Sequence, residues 1–243
     1  MGPGPDAGPE VRVTHPRLAP RRSSGPRAWW AKAWSRAVEE AAFSERDHRD
    51  GSRLARAGMV GAIGVGPGSA LAAVRDDDDA WTVTVEVPRC DADALDGLVE
   101  VVAAESGRIA ALLAGDLPHQ LVEEAEEVGA ELLPYGGELA TTCTCPHTLD
   151  PCAHALAVLV QLGWLLAEDP FVLLALRGLP REDLMARLHA RGPAGTGGTG
   201  DPDRADQPEQ PDQPDELDVA VDAALRAARL LAALERGEVP DRW

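Results

Sequence analysis

Cys143-Thr144-Cys145-Pro146-His147-Thr148-Leu149-Asp150-Pro151-Cys152-Ala153-His154 gathers three of the chain's four cysteines within ten residues and adds a histidine two positions past the last. The spacing is C-x-C, a six-residue loop, then C-x-H. Three thiolates and an imidazole suit a closed tetrahedral Zn²⁺ site, with Zn–S near about 2.3 Å and Zn–N near about 2.0 Å. Two cysteines at i and i+2 reach one ion when the chain between them curls at a turn. Pro146, Asp150 and Pro151 are turn formers that bring Cys152 back towards the first pair. An imidazole two residues beyond Cys152 joins the site if the chain there is entering a helix. Four ligands leave no position open for a catalytic water, so the spacing predicts one structural zinc held by Cys143, Cys145, Cys152 and His154.

Three other readings compete for the cluster. The cysteines could be ordinary buried thiols, with His154 capping a helix. A disulfide needs an oxidising compartment, and nothing marks this chain as secreted. A redox pair is more usually C-x-x-C within a thioredoxin-like pattern, which is absent. His147, inside the loop, is an alternative ligand to His154, although Pro146 beside it restricts how it turns inward. Cys90 follows a strand-like segment far from the cluster and reads as a packed thiol.

The pattern C-x-C-x(n)-C-x-H resembles the SWIM zinc finger, named for its occurrence beside SWI/SNF-type ATPases and in MuDR-type transposases. Trp29-Trp30-Ala31-Lys32-Ala33-Trp34 and Ser52-Arg53-Leu54-Ala55-Arg56-Ala57-Gly58 look like the opening of bacterial, largely actinobacterial, SWIM-finger proteins. Asp169-Pro170-Phe171-Val172-Leu173-Leu174, followed by Arg177-Gly178, looks like the segment after their finger. The resemblance covers roughly residues 27 to 190. It implies association with nucleic-acid machinery, alongside SWI/SNF-type helicase-like ATPases. Two positions depart from the family pattern. His147 stands where an acidic residue often follows C-x-C-P, and Ala153 where lysine often separates the last cysteine from the histidine. Without that lysine the finger has less with which to grip phosphate.

Charge bears on the partner. Residues 1–60 hold 11 basic and 7 acidic side chains, whereas the rest of the chain carries a balance of −22 within a total of −18. Phosphate backbones attract basic surfaces and repel acidic ones, so duplex DNA is a poor partner for most of this surface. The exception is the N-terminal arm, where Arg17, Arg21, Arg22 and Arg27 precede Trp29 and Trp30, a combination that could track a nucleic-acid strand. Its Pro and Gly content also fits a disordered arm leading into a tryptophan-anchored helix.

The expected class is α+β: small antiparallel strands packed with several helices around an embedded zinc finger. The expected layout is a disordered basic arm at 1–27, an α+β domain at 28–190 with the finger at 139–167, a disordered acidic linker at 191–215, and an amphipathic helix and tail at 216–243. Trp30, Trp34 and Val38 recur at helical core spacing over 28–43. Three strands are expected at 58–65, 69–74 and 80–87, turning at Gly66-Pro67-Gly68 and at the run Asp76 to Asp79. That run lacks the alternation of a calcium loop and reads as a solvated hairpin tip. Helices follow over roughly 91–104, 107–114 and 118–129, with Glu123, Glu124, Glu126 and Glu127 as an exposed face. Leu132-Leu133 and residues 138–142 are expected as short strands. The helix from Cys152 is apolar nearly all round, Gln161 being the main exception, so it should be buried on several sides. Asp169-Pro170 and Leu179-Pro180 mark further helix starts.

No dinucleotide loop, Walker-type loop, nucleophile elbow or H-E-x-x-H motif occurs, so the expectation is a non-enzymatic binding module. The longest apolar stretch, Ala155 to Ala167, is 13 residues, short of the about 20 a membrane span needs. With no apolar leader in residues 1–28, a cytoplasmic protein is expected, where thiols stay reduced.

Overall fold

A computed structural model describes residues 12–22, 27–147 and 149–191. A five-stranded antiparallel sheet, β1 Val13–His15, β2 Val60–Gly66, β3 Ser69–Asp76, β4 Asp79–Glu86 and β5 Ala140–Cys143, runs in the order β1-β2-β3-β4-β5. Eight helices are described: α1 Trp29–Ala41, α2 Glu45–Arg56, α3 Ala92–Ala103, α4 Ser106–Leu113, α5 His119–Glu127, α6 Ala153–Glu168, α7 Phe171–Leu176 and α8 Arg181–Arg191. The class is α+β, as the sequence predicts. Among the described residues no helix is long and apolar enough to cross a membrane.

Alternation sets the sheet's inner face. Ala70, Ala72 and Val74 of β3 and Val83 and Val85 of β4 point inward and are buried, while Leu71 and Ala73 of β3 and Thr82 and Glu86 of β4 are exposed. Pro67-Gly68 closes the first hairpin, with Gly68 at φ +73° supplying the left-handed residue that such a turn requires. Asp77, at φ +51°, turns the second, between paired Asp76 and Asp79. Short aspartates tolerate that conformation better than most side chains.

Helix α6 packs against the sheet on one side and against α1 and α2 on another. Its residues Leu156, Val158, Leu159, Leu162 and Leu166 are all buried. Trp30 and Trp34 enter from α1, and their indole N–H groups donate to the α6 carbonyls of Leu166 (2.7 Å) and Leu159 (2.9 Å). A buried Trp brings a large apolar area and a polar handle that needs such a partner. Gln161 does not face water. It is fully buried, and its Nε2 donates to Ala55 O at the end of α2 (2.9 Å), supplying a partner to a carbonyl in the helix's open last turn.

Helix α2 was not foreseen, because only Gly51, Leu54 and Ala55 of its twelve residues are buried. Its stripe is too narrow for apolar periodicity to reveal. Ser44 caps it by accepting from Asp47 N–H (3.1 Å). Gly51 allows the close approach: a Cβ there would lie 2.6 Å from Leu156 Cβ and 2.8 Å from Ala153 O.

Three expectations are corrected. Residues 12–22 of the arm expected to be disordered are ordered against the domain. β1 pairs with β2 through Val13 and Val65, Thr14 and Gly64, and His15 and Ile63. The Arg17 Nε donates to Gly58 O (2.8 Å), and the Arg21 guanidinium lies 3.8 Å from the Trp164 ring centre and 3.8 Å from Glu168 Oε1. Residues 1–11 and 23–26 of that arm, the linker from residue 192 and the expected C-terminal helix lie outside the described residues. Leu132-Leu133 is not a strand: Leu132 and Pro134 are buried in an irregular segment, and Pro134 has no N–H for a ladder. The carboxylate face of α5 is not wholly solvated either. Both Glu124 oxygens accept from the buried Arg108 at 2.7 Å, and Arg108 also reaches Glu105 and Val101 O. The Arg108 hydrogen bonds, with Gln120 adding to them, hold the Glu124 carboxyl below its ordinary value.

The helix contacts give a pair of opposite outcomes. Alanine is the better helix former by about 0.8–1 kcal/mol, so Gly→Ala in an unobstructed helix raises stability. At Gly107, where a Cβ meets nothing within 4 Å, Gly107→Ala should raise the urea midpoint by the equivalent of about 0.4–1 kcal/mol. Gly51→Ala should lower it instead, because overpacking costs about 1–3 kcal/mol. Equilibrium urea unfolding of the two variants checks the signs.

Candidate metal centre

The centre is assembled from two elements that meet at the end of the sheet. Strand β5 pairs with β4 from Ala140 to Cys143, and Thr144 prolongs the ladder. Its N–H donates to Thr82 O, and its Oγ1 accepts from Thr82 N–H, both at 3.0 Å. Pro146 has no N–H with which to continue, so the chain leaves the strand just after Cys145. The loop is drawn back under β5, where Thr141 Oγ1 donates to Asp150 Oδ1 (2.8 Å). Cys152 stands at the N-cap of α6 and is buried, and His154 is the helix's second residue.

Four ligand atoms, the Sγ of Cys143, Cys145 and Cys152 and the Nδ1 of His154, all lie within 4.8 Å of one another. Cys145 Sγ is 3.7 Å from Cys152 Sγ, and His154 Nδ1 is 3.9 Å from the Sγ atoms of both Cys143 and Cys152. A tetrahedral zinc with bonds of about 2.3 Å to sulfur and about 2.0 Å to nitrogen places neighbouring ligands roughly 3.5–3.8 Å apart. The three shortest of these separations, 3.7–3.9 Å, come close to that shell. The residues the spacing singled out are brought together, and the set is compatible with one zinc ion. His147, the alternative ligand, is elsewhere: its Nδ1 accepts from Leu149 N–H at 3.3 Å. Cys90 is also apart, its Sγ 3.8 Å from Glu131 O, and burial pushes its thiol up.

The electrostatics of the cluster call for a cation. In the protein alone the Cys143 thiol is pushed up to about 12, chiefly by burial. The Cys145 backbone N–H opposes the rise, and the Cys145 and Cys152 thiols add to it. Burial likewise raises Cys152, against the Ala155 backbone N–H. Three thiolates cannot share this space uncompensated, whereas Zn²⁺ deprotonates coordinating thiols outright. Bound there, the ion supplies a crosslink between β5 and α6.

Asp76 was missed by the sequence reading. Its Oδ2 lies 3.2 Å from Nε2 of His154, and the Trp81 ring centre lies 6.0 Å from the imidazole, tilted by 30°. Seventy-eight positions separate Asp76 from His154, and no local signal links them. A groove of about 520 Å³ opens beside the centre, lined by Ser44, Asp47, Asp50, Asp76, His147 and Leu149 among others.

Two outcomes follow from the thiols. In metal-free protein a thiol raised in the folded state favours folding while it stays protonated. That contribution is full below the ordinary thiol value of 9.0 and is lost as pH rises towards about 12. Metal-free protein should therefore lose melting temperature over that alkaline range, and zinc-loaded protein should lose less, since its ligating thiols are already deprotonated. Thermal melts of both forms across pH check the sign. Cys152→Ser should lower zinc content in elemental analysis and remove one sulfur from the three-sulfur, one-nitrogen shell seen by X-ray absorption.

Comparison with known proteins agrees with this geometry. The family model described as SWIM zinc finger matches residues 126–163, from the end of α5 through the centre and most of α6. The chain is similar to the uncharacterized protein Rv2102 of Mycobacterium tuberculosis (strain ATCC 25618 / H37Rv), 30% identical over 164 residues that make up 67% of this chain and 59% of that protein. It therefore spans somewhat under two thirds of that relative's length. No solved structure matches the chain. The motif, the assembled Cys₃His cluster and the matching family model agree on one point: residues 126–163 carry a SWIM-type zinc finger whose four ligands are compatible with one zinc ion.

Proposed function

We propose that this chain is a non-enzymatic adaptor in which zinc fastens the fold and the domain surface engages a protein partner of the nucleic-acid machinery, a SWI/SNF-type helicase-like ATPase in the first instance. SWIM-type fingers belong to protein or nucleic-acid interaction, and the choice between those turns on where the positive charge goes. The observation that carries the protein reading is the fate of the arginine arm. Arg17 is spent on Gly58 O, and Arg21 on Trp164 and Glu168. The two best-placed arginines of the arm are thus already bonded within the domain, and beyond residue 60 the chain carries a balance of −22. The groove beside the metal centre is acidic on balance, with Asp47, Asp50 and Asp76 against the single cation Arg46, which disfavours phosphate there. Apolar side chains stand nearby in sequence: Phe43, 71% exposed, precedes groove residue Ser44, and Leu149, itself in the groove wall, is 37% exposed. Exposed aromatic and aliphatic groups within a polar rim are characteristic of protein contact surfaces.

The second reading, direct binding of DNA or RNA through the finger and the arm, keeps Arg22 and Arg27, both exposed. Fluorescence anisotropy of the zinc-loaded full chain with labelled duplex and single-stranded oligonucleotides separates the two. We expect no tight binding at 50 mM salt, on a scale where about six phosphate contacts would cost roughly a thousandfold in affinity by 200 mM. Tight, salt-sensitive binding that Arg21→Ala with Arg22→Ala weakens would replace the protein reading with the nucleic-acid one. In parallel, titration calorimetry against a purified helicase-like ATPase should give saturable binding that Phe43→Ser with Leu149→Ser reduces at least about tenfold.

A further inference from the structure

We infer that Asp76 is the positioning residue of the metal centre: its carboxylate takes the Nε2–H of His154 and so holds Nδ1 towards the three sulfurs. The two nitrogens of this imidazole face different partners. Nδ1 lies 3.9 Å from the sulfurs of Cys143 and Cys152, whereas Nε2 lies 3.2 Å from Asp76 Oδ2. An imidazole with its proton on Nε2 has its free lone pair on Nδ1, on the side of the ring facing the thiolates. A hydrogen-bond acceptor at Nε2 therefore selects the tautomer that can ligate. An acceptor in that position also fixes the plane of the ring.

The surroundings make the contact a constructed one. The His154 side chain is only 12% exposed, so few other partners can reach Nε2. Trp81, across the sheet from Val74, flanks the ring at 6.0 Å. Asp76 is delivered by the last rung of β3, held on one side by its pairing with Asp79 and one residue earlier by the bond from Arg75 N–H to Met59 O (2.9 Å). The hairpin tip carries four aspartates in a row, but only Asp76 is half-buried; Asp77, Asp78 and Asp79 are exposed. The left-handed turn at Asp77 folds those three away into water and leaves Asp76 facing the imidazole.

Cys143 and Cys145 come from the end of β5, and Cys152 and His154 from the start of α6. The Asp76–His154 contact adds the β3–β4 hairpin as a third element clamped by the same ion. Filling the centre should therefore stiffen the hairpin tip as well as the finger loop.

The test is zinc affinity of full-length protein, by competition with a chromophoric chelator, for wild type, Asp76→Ala, Asp76→Asn and Asp78→Ala. Asp76→Ala should weaken zinc binding by about 10–100-fold. Asp78→Ala removes the same formal charge from an exposed position and should change it by less than about threefold, since solvent and salt screen such a charge. Asp76→Asn keeps an oxygen that can accept the Nε2–H and should recover most of the loss. It also serves as the near-isosteric variant should the alanine protein fold poorly. Equal effects of Asp76→Ala and Asp78→Ala would overturn the assignment, as would an Asp76→Asn protein no better than Asp76→Ala, because charge rather than acceptor geometry would then be at work. Long-range ¹H–¹⁵N spectra of the zinc-loaded protein give a readout that a merely structural role would not move. The His154 Nε2–H should be visible and slowly exchanging in wild type, and exchange-broadened in Asp76→Ala. A protonated Nδ1 in the loaded wild type would sink the proposal outright.

Discussion

Helix α6 has almost no polar stripe, so it is stable only if covered on nearly every side, and most of the domain is arranged to cover it. The sheet takes one face, and α1 and α2 take another. What fixes the helix along its own axis is the cluster at its N-terminus. Cys152 caps it, His154 lies within its first turn, and both face Cys143 and Cys145 at the end of β5. A helix buried by non-directional apolar contact could slide or rotate at small cost, since such contact is roughly proportional to area. A tetrahedral ion cannot be satisfied by a slid helix. Zinc bound at the cluster would therefore add a directional constraint on the position of α6 to the packing around it.

The tryptophans of α1 and Gln161 constrain the helix from the other side. Each places one directional hydrogen bond where the rest of the contact is shape: Trp30 on Leu166 O, Trp34 on Leu159 O, and Gln161 on Ala55 O. Close approach does the remainder. Gly163 lets the Trp34 ring come within 2.8 Å of where a Cβ would stand, and Gly51 brings α2 down onto Ala153 and Leu156. Ala153 sits between the last two metal ligands, so the α2 contact lands on the ligand-bearing turn itself. Helix packing and metal geometry are thereby coupled through one backbone segment.

Features whose signal is local were legible in the sequence. Trp30, Trp34 and Val38 repeat every four residues and all three are buried. Pro67-Gly68 and the Asp76–Asp79 run turn the hairpins close to where turn chemistry places them. C-x-C with C-x-H located the cluster because ligand spacing is a constraint on adjacent residues. What escaped depends on partners far away in the chain. Helix α2 hides its contact in a glycine, a leucine and an alanine, too few among polar neighbours to mark a helix without α6 opposite. Strand β1 is three residues in a Pro- and Arg-rich stretch, and only its pairing with β2 makes it a strand. Asp76 looked like one of four solvated carboxylates until His154 was placed beside it.

The ordered arm changes what the charge distribution implies. Taken as free chain, residues 1–27 concentrate positive charge next to aromatics, the pattern of a strand that tracks nucleic acid. With residues 12–22 laid against the sheet edge, two of those arginines, Arg17 and Arg21, become fasteners of the domain. The planar Arg21 guanidinium stacks on Trp164 of α6, so a basic residue ends up securing the buried helix. For those two to bind phosphate the arm would first have to detach, giving up the β1 ladder, the Arg17–Gly58 bond and the Trp164 stack. Binding that draws on Arg17 and Arg21 would be reduced by that cost, whereas Arg22 and Arg27 are exposed as they stand. Under the proposed protein reading, a partner that meets the groove and the exposed Phe43 and Leu149 would require no such rearrangement.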